Sequence, residues 1–74
     1  MNRSIVAYVN LSTDPRVKGR YFVDVRDTTH PTNDPRGRQM TTRVTDNPRE
    51  FIEALTAEGL RQGVFVTFED QTGE

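Results

Sequence analysis

Hydrophobic and polar residues alternate along most of the chain, and the period of the alternation changes once. "SIVAYVNL" (Ser4 to Leu11) is rich in β-branched and aromatic residues and predicts a strand. Side chains alternate across a strand, so Ile5, Ala7, Val9 and Leu11 share one face and Val6, Tyr8 and Asn10 the other. "RYFVDVRD" (Arg20 to Asp27) sets Tyr21, Val23 and Val25 against Arg20, Phe22, Asp24 and Arg26. That pattern predicts an antiparallel strand with one face on a core and one toward water. "RQMTTRVT" (Arg38 to Thr45) is weaker. Its alternation predicts Met40, Thr42 and Val44 inward and Gln39, Thr41, Arg43 and Thr45 outward, in an edge or partly covered strand. "GVFVTFED" (Gly63 to Asp70) predicts a last strand over 63–69, with Val64, Val66 and Phe68 on one face and Phe65, Thr67 and Glu69 on the other.

Between the third and fourth strands the period becomes helical. Asn47 can cap, Pro48 suits the first helical position, and Glu50 falls at the third. Phe51, Ile52 and Leu55 lie on one face with Ala54 beside them. Gly59 suits the left-handed residue that ends a helix, with Leu60 folding back, so the helix is expected over 48–59.

The order β-β-β-α-β predicts an α+β fold: a single four-stranded sheet, mixed or antiparallel, with one helix packed on one face. The first three strands form a meander, and the last runs parallel to the first and third. Pairing of the last strand with the first and with the third are both compatible with the pattern. Residues 1–74 are expected to form a single domain, with a flexible loop at 28–37 and a polar tail at 70–74.

Three Pro-Arg corners punctuate the chain: Asp14–Arg16, Asp34–Arg36 and Asn47–Arg49. Asp or Asn before Pro suits a corner, because a short acceptor can bond the N–H groups just ahead and Pro fixes the next φ. "DPRG" (Asp34 to Gly37) fits a type I turn. The arginines are not required by the turns. The meander expects Arg16, Lys18 and Arg49 at one end of the sheet, and His30, Arg36, Arg38 and Arg61 at the other.

Composition narrows the functions. In 74 residues with a hydrophobic share of 32%, a core of about 12 to 15 side chains is expected. There is no Cys and one His, so neither a disulfide nor a structural zinc site can staple the fold. Association with itself or with a partner is the remaining staple. A net charge of −1 argues against a strongly basic nucleic-acid binder or an acidic DNA mimic. The first ten residues are too short and too alternating an apolar run for a signal peptide or membrane span. Together with the lack of Cys, this predicts a cytoplasmic protein that does not enter a membrane.

No catalytic constellation stands out. His30 precedes Pro31 in a polar loop, Ser4 and Ser12 lie in no strained turn, and no glycine-rich phosphate loop or helix-borne His pair occurs. A non-enzymatic protein without cofactor or metal is expected.

The uncovered sheet face carries the main functional expectation. Tyr8, Arg20, Phe22, Arg26, Arg43 and Phe65 interleave aromatics with arginines there. Such a face suits a protein contact. It also suits stacked bases and phosphates, or a second copy of the chain. His30, Arg36, Arg38 and Arg61 form a second candidate contact at the loop end.

Two resemblances bear on these alternatives. "GRYFVDVRD", "GRQMTTRV" and "NPREFIEAL" resemble the three-strands-then-helix arm-binding domains of phage integrases. That resemblance implies Arg20, Phe22, Arg26 and Arg43 as a DNA-facing set; "GVFVTFED" is extra to it. The whole-chain plan resembles small phage-encoded inhibitors of the anti-CRISPR type. It implies a stoichiometric inhibitor that docks on a host defence ribonucleoprotein complex, and no motif assigns it a site residue. A protein-binding inhibitor is the preferred reading, with nucleic-acid binding and homodimerisation as alternatives.

Overall fold

The computed structural model describes residues 3–13, 16, 19–30 and 32–73. The first corner's Asp14 and Pro15, and Lys18 of the first basic group, lie outside the described residues. Strands β1 (Arg3–Leu11), β2 (Tyr21–Asp27) and β3 (Arg38–Thr45) precede helix α1 (Pro48–Gln62), and β4 (Val64–Asp70) follows it. They build one four-stranded sheet in the order β3-β2-β1-β4. β1 pairs antiparallel with β2 and parallel with β4, and β2 pairs antiparallel with β3. The last strand therefore joins the first, and β3 and β4 are the two edges.

The core lies between α1 and one face of the sheet. Ile5, Ala7, Val9, Val23, Val25 and Val64 are buried, and Tyr21, Phe51, Ile52, Leu55 and Val66 pack against them. These are inward positions of β1, β2 and β4 expected from the alternation, whereas Leu11 and Phe68, on the same face near the strand ends, stay exposed at 41% and 62%. α1 lies chiefly on β4. Asn47 caps it: its Oδ1 accepts from the Glu50 backbone N–H at 3.2 Å, and its Nδ2 donates to the Glu50 carboxylate at 3.2 Å. The second contact replaces the backbone half of a usual capping box. Ala54 is exposed, off the packed face.

The helix ends later than expected, at Gln62. Gly63, at φ 72°, is the left-handed cap, and its N–H reaches the Gly59 carbonyl. Gly59 has another role. It is buried, and a Cβ built there would lie 2.7 Å from Val66 Cγ2 and 2.8 Å from the Val64 carbonyl oxygen. The bare backbone lets the helix close onto β4. Leu60 stays in the helix, 77% exposed, and does not fold back.

The expected phase of β3 is corrected. Val23 faces Arg43 and Val25 faces Thr41, so those two residues lie on the helix side. Val44 and Thr42 lie on the opposite side, facing Phe22 and Asp24. The helix sits over the other half of the sheet, so no core draws the apolar residues of β3 inward. Val44 instead packs near Gly19, where a Cβ would lie 2.5 Å from its Cγ1. Register shifts between Val25 and Arg26: Thr41 faces Val25, Gln39 faces Arg26, and Met40 is the extra residue of a bulge.

Candidate functional site

The sheet face away from the helix is not open at its centre. The Asp34–Gly37 turn of the 28–37 loop lies across it, and the loop's described residues are anchored at both ends. At its start, Thr28 N–H donates to the Ser4 carbonyl at 2.9 Å, and Ser4 N–H donates to Thr29 Oγ1 at 3.0 Å. Near its end the second corner forms the expected turn, with Gly37 N–H on the Asp34 carbonyl at 3.0 Å and Arg36 N–H on Asp34 Oδ1 at 2.9 Å.

Arg26 ties this turn to the sheet. Its Nε donates to Asp24 Oδ2 at 2.9 Å, and its Nη2 pairs with the same oxygen at 2.9 Å. Its Nη1 donates to Asp34 Oδ2 at 3.3 Å and to the Gly37 carbonyl at 3.2 Å. Arg26 and Asp24 are buried, at 9% and 5% exposure. Asp24 Oδ1 is buried with no hydrogen-bond partner among the described residues. Tyr8 is also buried, and its hydroxyl donates to the Arg36 carbonyl at 3.4 Å. Asp34 also binds the exposed Arg36 side chain, through Nε at 3.3 Å and Nη2 at 3.2 Å. That guanidinium holds the Asp34 carboxyl below the usual carboxylate range.

The expected aromatic–arginine surface is accordingly not assembled. Tyr8 and Arg26 are internal, under the loop, because a buried charge needs the partners that the loop supplies. Arg43 is on the helix side, its guanidinium 5.1 Å from the centroid of the Phe51 ring. Arg20 precedes β2, and its guanidinium lies 5.5 Å from the Tyr21 ring, which packs on the core. Of the six residues, Phe22 and Phe65 keep the expected face, Phe22 half-buried and Phe65 69% exposed.

The loop-end group is likewise spread out. Arg38 faces Asp27 at the end of the sheet. Arg61 pairs with Glu58 on the helix at 3.3 Å. Arg36 lies with the turn that folds over the sheet face. His30, which is exposed, lines a shallow cavity of 380 Å³ with Thr28, Thr29, Thr32 and Asp34. Asp27 accepts from the Thr29 backbone N–H at 2.9 Å and lies 3.8 Å from Arg3. The Thr29 hydroxyl and N–H, and then Arg3, hold its carboxyl below the usual range.

Among the described residues the three most exposed large apolar side chains, Leu60, Phe65 and Phe68, gather elsewhere, around β4, while Leu11 and Met40 lie apart on β1 and β3. Phe65 projects from one face of this strand and Phe68, 62% exposed, from the other. Beside Phe68 a groove of 840 Å³ runs between α1 and β4, lined by Ile52, Ala57, Leu60, Val66 and Phe68 and rimmed by Arg49, Glu53 and Asp70. The backbone of β4 is also available. In a parallel ladder a residue sends its N–H and C=O to the same side, and successive residues alternate. Gln71 N–H donates to the Val9 carbonyl at 2.8 Å. Counting back from Gln71, Val66 and Phe68 aim their N–H and C=O groups away from β1, at the free edge.

The two edges differ. β3 carries a bulge at Met40 and an arginine, Arg43, on its helix side. Both devices discourage strand addition. The ladder of β4 on β1 has no such shift, and its residues 65–70 include neither Lys, Arg nor Pro. Sequence alternation had placed both phenylalanines correctly; that β4 is an edge follows from its pairing with β1, on which the pattern is silent.

Among the described residues no group of His, Asp and Glu is arranged to hold a metal ion, and no helix is long and apolar enough to cross a membrane. The chain matches no family model, no curated protein and no solved structure.

Proposed function

We propose that this chain is a small non-enzymatic protein-binding domain whose contact is the free edge of β4, flanked by Phe65, Phe68 and Leu60. The observation that supports this reading is the asymmetry between the edges. One is bulged and bears arginines, while the other is regular, keeps its charges, Glu69 and Asp70, at its far end, and carries a large apolar ring on each face. An edge of the second kind is a template for another strand. Strand addition combines main-chain hydrogen bonds, which give affinity, with side-chain pockets on alternate residues, which give selectivity. The groove beside Phe68 is such a pocket. A docking inhibitor of a larger complex, as the anti-CRISPR resemblance implies, would act by this contact alone. The nucleic-acid alternative loses the arginine-lined face on which it rested.

The test is retention of proteins from the cell that naturally makes the chain, by immobilised variants. Phe68→Asp is expected to abolish retention, whereas Arg43→Glu on the guarded edge leaves it unchanged. Equal retention by Phe68→Asp and the unaltered protein would sink the reading. So would binding of RNA or DNA that falls steeply with salt and is unaffected by Phe68→Asp.

A further inference from the structure

The geometry points to a second copy of this chain as the occupant of the β4 edge, paired antiparallel about a two-fold axis at Thr67. This rests on the reading of β4 as a docking edge and specifies its partner.

Full overlap of Val64–Asp70 with itself puts Thr67 opposite its own symmetry mate. Val66 then faces Phe68 of the other copy, twice. Those residues already aim their N–H and C=O groups outward, so they become hydrogen-bonded pairs. An antiparallel ladder alternates such pairs with non-hydrogen-bonded ones, and Thr67 falls on the latter. Every side chain keeps its face. Val66 and Phe68 lie on the helix side in both copies, and Phe65, Thr67 and Glu69 on the other.

The facing pairs are favourable. Aromatic with β-branched, and Thr with Thr, are stabilising cross-strand pairs. Charge selects the direction. Antiparallel pairing sets Glu69 opposite Phe65 and Asp70 opposite Val64, at opposite ends of the ladder. Parallel pairing of two β4 strands would bring the Glu69 and Asp70 carboxylates of both copies together, which is destabilising. The grooves beside Phe68 also meet across the axis, so Leu60 and Phe68, the two most exposed apolar residues on the helix side, are covered together.

The chain has no Cys, so single introduced thiols report the register. Paired non-hydrogen-bonded positions lie about 4.5 Å apart at Cα, inside the range of about 4.4 to 6.8 Å that a disulfide spans. Thr67→Cys is therefore expected to form an intermolecular disulfide under mild oxidation. Glu69→Cys, on the same face, would lie four residues from its mate, about 13 Å away. It should link at least about tenfold more slowly. Sedimentation of the unaltered protein should give twice the 8.5 kDa chain mass at high concentration. Phe68→Asp should give the single mass, with a melting temperature that no longer rises with protein concentration.

Three results would each overturn self-pairing: a single mass for the unaltered protein at near-millimolar concentration, equal linking rates for the two thiol variants, or a double mass that survives Phe68→Asp. The retention assay above judges the docking edge separately. A single mass together with Phe68-dependent retention would assign the edge to a foreign strand and remove the second copy.

Discussion

Gly59 and Gly63 are four residues apart and do different work. Gly63 supplies a left-handed backbone with nothing within 4 Å of a built Cβ. Gly59 has no such φ but has β4 against it. Substituting Ala at Gly59 gains about 1 kcal/mol of helix propensity. It also forces a methyl against a backbone carbonyl, and overpacking of this kind costs about 1 to 3 kcal/mol. Gly59→Ala is expected to lower stability and to splay α1 from β4. Gly63→Ala should cost about 1 to 2 kcal/mol through its dihedral alone. Denaturant melts measure both. Amide exchange separates them, since only Gly59→Ala should deprotect β4. Sequence could not distinguish these roles, because both glycines suit a helix end and only the approach of β4 assigns the inner one.

At the scale of elements, Arg26 converts a ten-residue connection into part of the sheet. Removing one member of a buried ion pair strands the other and typically costs about 3 to 5 kcal/mol. Arg26→Met is expected to fall in that range and to loosen the 28–37 loop. Asp24→Leu with Arg26→Met should recover most of the loss, because the apolar pair has no buried charge left to satisfy. Equilibrium unfolding of the two single variants and the double completes the cycle. Additive losses would contradict the coupling. This strap was not legible in the chain. "RYFVDVRD" reads as a clean alternation, and nothing in it says that the polar face acquires a roof. Asp24, two residues back, shares the face of Arg26 in that pattern, but the loop partners of Arg26, Asp34 and Gly37, lie eight and eleven residues on, beyond the reach of a period-two alternation. The β3 phase failed for a related reason. Alternation predicts faces only where a core rewards one of them, and α1 leaves that edge uncovered.

The molecule as a whole has an acid-sensitive perimeter. The carboxyls of Asp27, Asp34 and Asp70 are each held below the usual range: by Thr29, by Arg36 and by Thr72. A depressed folded value means that the native state favours the ionised form. The stabilisation is complete above the unfolded value of about 3.9 and is lost as pH falls through the lower folded values. Stability should therefore hold steady from pH 7 to about 4.5 and decline below about 4. Asp34→Asn is expected to flatten part of that decline. Urea midpoints at stepped pH would show it, and a decline beginning near pH 6 would point to another group. The element order and the inward set of three strands were legible because β-branched alternation and a capped amphipathic run leave strong local marks. Strand order, edges and the covered face are properties of assembly, set by contacts between residues far apart in sequence.

The unequal edges carry one more consequence, for growth. A sheet with two plain edges can be extended without limit, and that is how ladders of strands become fibres. Here the bulge at Met40 and Arg43 on the same strand guard one side. Whatever β4 joins, the ladder gains four strands and ends at β3. Under the docking proposed for β4, the fold would act as a terminator, completing another sheet and resisting further growth at β3.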